Sequence, residues 1–248
     1  MKFRQLLNNC LNSKQILFKA IFKQSCLLCK SAHGGNVGLC KACEKDLPRH
    51  TSAHCPQCGL LSLNNLTCGH CLTSAPDFDA TKALFTYDFP LAALLQRYKY
   101  GSMLSLSHSF ADLMTAHLLQ NGVENKNIDL IIAMPMHPQR LQERGFNQAL
   151  EIAKLISKNL DIPLDYKACI REKLTPPQAS LPLKERVKNI RGVFSIKEAH
   201  QPNLKGLKIA LIDDVMTTGA SLNELAKTFK KAGASHVECW VIARTLPK

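Results

Sequence analysis

"KIALIDDVMTTGASLNELAKTFKKAG", residues 208 to 233, reads as a strand, a tight turn and a helix in that order. The apolar run Ile209 to Ile212 is continuous, as a strand covered on both faces should be. Leu222, Leu225, Ala226 and Phe229 then recur at helical spacing, and Gly233 closes the helix. Between the two lie Asp213 and Asp214, placed where the strand is expected to end, followed by Thr217, Thr218, Gly219 and Ser221.

In open parallel sheets ligands sit beyond the carboxyl ends of the strands. A phosphate at the start of the following helix would meet backbone N–H groups that lack helical partners, the positive end of the helix dipole, and three hydroxyls. Gly219 lets the backbone approach it. The two carboxylates would repel phosphate but accept hydrogen bonds from sugar hydroxyls, so a ribose 5-phosphate suits both halves of the motif.

Outward from this stretch the alternation continues. "TKALFTY" (81 to 87) reads as a strand, "SLSHSFADLMTAHLLQNG" (105 to 122) as a helix, "IDLIIAMP" (128 to 135) as a buried strand, and "NQALEIAKLISKNL" (147 to 160) as the next helix. "YKACI" (166 to 170) reads as another strand, and "HVECWVIAR" (236 to 244) as the closing one. Strands alternating with helices predict an α/β doubly wound, mostly parallel sheet over 76–248.

Upstream, "CLLC", "CKAC", "CPQC" and "CGHC" place Cys26, Cys29, Cys40, Cys43, Cys55, Cys58, Cys68 and Cys71 in four C-x-x-C pairs. Each pair offers two thiolates to one tetrahedral ion, and two pairs complete a four-cysteine zinc site, so two structural zinc ions are expected over 26–75. A disulfide framework requires an export signal that is not seen, and a redox site needs only one pair. Gly59 directly after "CPQC" favours sequential pairing over a cross-braced one. His33, His54 and His70 are read as bystanders. Closed sites of this kind hold a fold rather than perform chemistry. Residues 1–25 are expected to form a separate segment, a short amphipathic helix with Leu7, Leu11, Ile16, Ala20 and Phe22 against Lys14, Lys19 and Lys23.

The formal charge of the chain is +13, and residues 1 to 75 carry nine Lys or Arg against Glu44 and Asp46, a net of +7. Such a module suits phosphate-rich partners, single-stranded DNA among them, or serves as a solvated basic surface. No apolar stretch reaches the length of a membrane span and no signal-peptide core appears, which predicts a cytoplasmic protein. The absence of a Walker loop, of G-x-G-x-x-G and of H-E-x-x-H argues against a motor, a dinucleotide oxidoreductase and a metalloprotease.

Two further motifs carry charge toward the acidic pair. "AMPMHPQRLQERGFNQ" (133 to 148) follows a predicted strand, so Arg140 and Arg144 could reach a diphosphate, with Asn147 and Gln148 at the next helix start. Otherwise these arginines are exposed and "GFN" only caps the helix. "REKLTPPQASLPLKERVKNIRG" (171 to 192) is expected to be a mobile loop whose Arg171, Lys173, Lys184, Arg186, Lys188 and Arg191 close over the site, or to be a basic linker. Tyr98, Lys99 and Tyr100 form a small basic-aromatic cluster suited to stacking on bases.

The acidic pair with its Thr-rich loop resembles the signature of type I phosphoribosyltransferases. Together with the four C-x-x-C pairs, "PMHPQRLQERGFNQA" (135 to 149) and "TPPQASLPLKERVKNIRGVF" (175 to 194), the chain from Cys26 onward resembles the ComF family, a double zinc ribbon followed by a phosphoribosyltransferase domain. The resemblance implies phosphoribosyl pyrophosphate, with magnesium, on Asp213, Asp214, Val215, Met216, Thr217, Thr218, Gly219, Ala220 and Ser221, with the 5-phosphate on the loop and the ribose 2- and 3-hydroxyls on Asp213 and Asp214 as catalytic acids. It also implies a role in natural competence and DNA uptake, with competence-machinery proteins as candidate partners. Three readings stay open: a transferase on an unidentified acceptor, a nucleobase-salvage enzyme, and a competence factor that binds the ligand or single-stranded DNA without turnover.

Overall fold

In a computed structural model of the chain, the described residues are 25–35, 37–101, 103–123, 127–174, 189–198, 200 and 204–247. The expected N-terminal helix with Cys10, and Lys184, Arg186 and Lys188 of the expected loop, lie outside them. The chain divides into two compact units, Met1–Leu47 and Pro48–Lys248. Among the described residues no helix is long and apolar enough to cross a membrane.

In the first unit the turn from Cys26 is closed by Cys26 N–H donating to Ser31 O and Lys30 N–H donating to Cys26 O, with Lys30 at φ 65°. The short helix α1 (Lys41–Lys45) follows, capped at Cys40. The same plan recurs early in the second unit. Cys55 N–H donates to Leu60 O and Gly59 N–H to Cys55 O, Gly59 holds φ 70°, and α2 (Gly69–Thr73) starts after Cys68. A left-handed residue is needed after the second cysteine to fold the turn back, which glycine does without strain and lysine at some cost.

The remainder of the second unit is built on four parallel strands in the order β1, β6, β5, β2: β1 (Ala80–Thr86), β2 (Leu130–Ala133), β5 (Lys208–Met216) and β6 (His236–Arg244). Helix α3 (Leu91–Tyr100) and helix α4 (Ser105–Gln120) link β1 to β2, and α5 (Pro138–Arg144) and α6 (Gln148–Leu160) follow β2. Helix α7 (Ala220–Lys231) joins β5 to β6. Helices α4 and α6 pack on each other and α6 on β2 and β5, while α7 packs on β5 and β6. Burial of Ile209, Ala210, Leu211 and Ile212 follows from cover on both faces.

The α7 stripe lies where its spacing placed it: Leu222, Leu225, Ala226 and Phe229 are all buried. Phe229 is fully enclosed, so Phe229→Ala should cost about 3–5 kcal/mol of stability, read as a lower urea midpoint with an unchanged slope.

Two expectations are corrected. "YKACI" does not join the main sheet; Cys169–Arg171 (β3) pairs antiparallel with Phe194–Ile196 (β4) in a separate two-stranded ribbon. Nor does the central strand end before its acids. Its pairing with β2 stops at Ala133 opposite Ile212, but its pairing with β6 runs on through Asp213 opposite Val241 to Met216 opposite Arg244. The acids therefore sit on a strand segment held from one side, at the point where the neighbouring strand has left.

Candidate functional site

Because β2 stops early, its chain turns away beside the acids: Met134 N–H donates to Ile212 O (2.8 Å). The polypeptide from Met134 to Gln148 then forms one wall of a cavity of about 440 Å³, and Asp213, Asp214, Val215, Thr217 and Ser221 form another. Its mouth lies outside the carboxyl ends of β2 and β5, where ligands enter folds of this type.

Helix α5 is fixed at both ends. Pro138 occupies its first turn, His137 Nδ1 accepts from Gln139 N–H at 3.2 Å, and Gly145 ends it at φ 78°. That orientation sets Arg140 and Arg144 four residues apart on one face, and both line the cavity. Arg144 donates to Gln148 Oε1 (3.2 Å) and lies 5.3 Å from the ring centre of Tyr100. Asn147 does cap α6, its Oδ1 accepting from Leu150 N–H, while its Nδ2 donates to Met134 O at 3.0 Å. The capping role and the siting of the arginines are thus both present. Gln148 is almost wholly buried, and its Nε2 has no hydrogen-bond partner in the fold, a donor that a ligand would satisfy.

Sequence reasoning underrated two residues. Lys99, at the end of α3, places its Nζ 3.0 Å from Asp214 Oδ2. Burial opposes its charge, but Asp214 outweighs that and holds the ammonium above its ordinary range. Arg244, the last residue of β6, is 2% exposed and contacts the turn after β5. A lysine in a "YKY" run and an arginine ending an apolar strand were the available signals. The stacking cluster is corrected in part: Tyr98 is fully buried with its hydroxyl donating to Gln148 O (2.9 Å), so it has no face to offer a base, whereas Tyr100 is exposed.

The expected loop residues divide. Asp213, Asp214, Val215, Thr217 and Ser221 line the cavity with Arg140 and Arg144, and Arg171 of β3 joins them. Met216, Thr218, Gly219, Ala220 and Arg191 line a separate cavity near the second cysteine group. Gly219 holds φ 81°, a left-handed conformation that favours glycine, and a Cβ there would also displace the end of the Met216 side chain, 2.8 Å away at Cε.

Burial, and the neighbouring charge of Asp214, push the Asp213 carboxyl up to about 7. An acid raised in the folded state binds its proton more tightly there than in the unfolded chain. Its contribution to stability is therefore full below the unfolded value near 3.8 and is lost as pH rises toward about 7. Asp213→Asn should flatten that part of the pH–stability profile; urea midpoints of the two proteins running parallel from pH 4 to 7 would refute the shift.

The cysteines gather as sequential pairing required, Cys26, Cys29, Cys40 and Cys43 in one group and Cys55, Cys58, Cys68 and Cys71 in the other, each with sulfurs within 4.8 Å of one another. The pairs Cys29–Cys40 and Cys58–Cys68 lie 3.7 Å apart between sulfurs. That is far beyond a disulfide and matches the edge of about 3.8 Å expected of a tetrahedron with Zn–S bonds of about 2.3 Å. Backbone N–H groups of Cys40 and Cys68 donate to Cys26 Sγ and Cys55 Sγ, as suits thiolates. The donor sets fit zinc, and among the described residues no histidine belongs to either.

Comparison with known proteins agrees with this architecture. The model of the double zinc ribbon domain matches residues 17–72, and that of the phosphoribosyl transferase domain matches residues 147–246. Competence protein F of Haemophilus influenzae is 31% identical over 90% of this chain and 98% of its own. The DNA utilization protein YhgH of Escherichia coli K12 is 29% identical over 89% and 97%, and the competence protein ComFC of Streptococcus pneumoniae 26% over 83% and 87%. With two four-cysteine groups ahead of a parallel sheet of phosphoribosyltransferase type, and a relative at that identity along nearly its whole length, the chain belongs to the competence protein F (ComF) family.

Proposed function

We propose that the chain binds phosphoribosyl pyrophosphate with magnesium and acts in natural competence and the handling of incoming DNA. The observation that carries the ligand is the composition of the cavity: two adjacent carboxylates at a strand edge, a hydroxyl-bearing turn leading into α7, and Lys99, Arg140, Arg144 and Arg171 around them. Hydroxyls of the ribose suit the acids, the 5-phosphate suits the turn and helix start, and the diphosphate suits the guanidinium forks. Asp213 and Asp214 are also the hard oxygen donors of the cavity, the type a magnesium ion prefers alongside phosphate oxygens. The competence role rests on what the relatives are called.

If the ligand is turned over, an acceptor attacks the anomeric carbon, the bond from that carbon to the diphosphate oxygen breaks, and diphosphate leaves with the bond's electron pair. The chain would contribute positioning and charge: acids on the diol, cations on the departing diphosphate. A second reading, ligand sensing without transfer, is favoured by one feature. Among the described residues lining the cavity the only carboxylates are Asp213 and Asp214, and both are engaged by the diol in this arrangement.

Calorimetric titration of the zinc-loaded protein with phosphoribosyl pyrophosphate and magnesium tests the proposal. Saturable heat supports it, and no heat at millimolar ligand rejects it. Release of diphosphate in the presence of nucleobases or single-stranded DNA then separates transfer from sensing.

A further inference from the structure

Arg244 connects the second cysteine group to the turn after β5. Its Nε donates to the carbonyl of Cys58 (2.8 Å), and one terminal nitrogen donates to the carbonyls of Met216 (3.0 Å), Thr217 and Thr245 (3.0 Å). The same cysteine turn is attached to β1 as well: Thr81 N–H donates to Pro56 O (3.0 Å) and Thr81 Oγ1 to Gln57 O (2.6 Å). Three consecutive carbonyls, those of Pro56, Gln57 and Cys58, are thus held by the parallel sheet, and the last shares its donor with the turn.

Charge acts in the same direction as geometry. Four thiolates outweigh the charge of one zinc ion, so the loaded cluster is anionic and attracts a buried guanidinium. Arginine's rigid fork can serve carbonyls on two sides at once, which a lysine cannot do in fixed geometry. Cys58, Cys71, Thr218 and Gly219 also line a cavity of about 390 Å³, which leaves the turn room to move when the restraint is lost.

We propose that Arg244 is a positioning residue through which zinc in the Cys55, Cys58, Cys68 and Cys71 site holds the Thr217–Ala220 turn in its ligand-ready conformation. Losing the zinc frees the Cys58 carbonyl, Arg244 loses one of its anchors, and the turn relaxes although no zinc ligand touches the bound molecule. The coupling stands on hydrogen bonds in the free protein; only its consequence for affinity rests on the ligand reading above.

The test uses the full chain in three forms: zinc-loaded, stripped of zinc by a chelator, and zinc-loaded Arg244→Gln. Hydrogen–deuterium exchange is followed at 216–221, with amides of α6 as the internal reference. Exchange in the turn should accelerate at least about tenfold more than exchange in α6, both in the stripped protein and in Arg244→Gln, with α6 unchanged in the variant and the variant's zinc content equal to that of the wild type. A uniform acceleration that includes α6 in Arg244→Gln would mark general unfolding, and Arg244→Lys then replaces it, with the same local signature expected. Turn exchange equal to that of the wild type in both the stripped protein and the folded variant overturns the coupling. Titration with phosphoribosyl pyrophosphate and magnesium forms a separate arm: its affinity should fall with turn protection, and a wild type that binds none of it rejects the ligand reading while leaving the exchange result to decide the coupling.

Discussion

Replacing both acids, Asp213→Ala with Asp214→Ala, should weaken binding of phosphoribosyl pyrophosphate by about 100-fold to 10,000-fold. The range follows from two charge-assisted hydrogen bonds to the ribose diol, each worth about 1.5–3 kcal/mol. Opposing effects exist. The acids repel the ligand's phosphates, and their removal relieves that repulsion while leaving Lys99, 3.0 Å from Asp214 in the wild type, without its partner and available to phosphate. Direct contact should prevail because the diol would touch the carboxylates, whereas the phosphates would lie farther off and be screened by arginines and solvent. Calorimetry on the double variant and on Asp214→Ala alone checks this. A double variant that binds within threefold of the wild type would show that the acids do not hold the diol.

The second large effect concerns stability. Cys71→Ser removes a ligand from the second cysteine group and, with the zinc, the restraint on the turn that β1 and β6 hold. Structural zinc contributes on the order of 10 kcal/mol to small modules that cannot fold alone, so this ribbon should unfold. The consequence extends past the ribbon. Bonds to Pro56 O, Gln57 O and Cys58 O are lost at about 1 kcal/mol each, and Arg244, 2% exposed, becomes partly unsatisfied. A loss of about 3–5 kcal/mol corresponds to a melting temperature lowered by roughly 10 °C for a unit of this size. Scanning calorimetry with metal analysis checks it. An unchanged melting transition with one zinc fewer would mean that the ribbon and the sheet are energetically independent.

The chemical boundary along the chain and the division of the fold into compact units fall at different places. The cysteines end at Cys71 and the composition changes near 73–78, which marks a chemical boundary. The compact units divide instead at Leu47 and Pro48, because the second ribbon is bonded to the sheet by Thr81 and Arg244. Those partners are separated from the ribbon by up to 186 positions, and no local pattern reports a pairing at that distance.

The sequence by itself determined what repeats or alternates. Cysteine spacing specified two four-thiolate sites, because a C-x-x-C turn can deliver two sulfurs to one ion. Helical spacing specified the buried stripe of α7, and the apolar run specified a covered central strand. Tertiary structure alone decided how far that strand runs beyond its acids, since its end is set by which neighbour continues beside it: β2 stops at Ala133, and β6 goes on to Arg244. It also decided that Tyr98 is packed away while Lys99 reaches Asp214, and that Arg244 ties the Cys58 turn to the turn after β5. Local periodicity is written in neighbouring residues, whereas the partner of a charge or a carbonyl is chosen by which surfaces the finished sheet brings together.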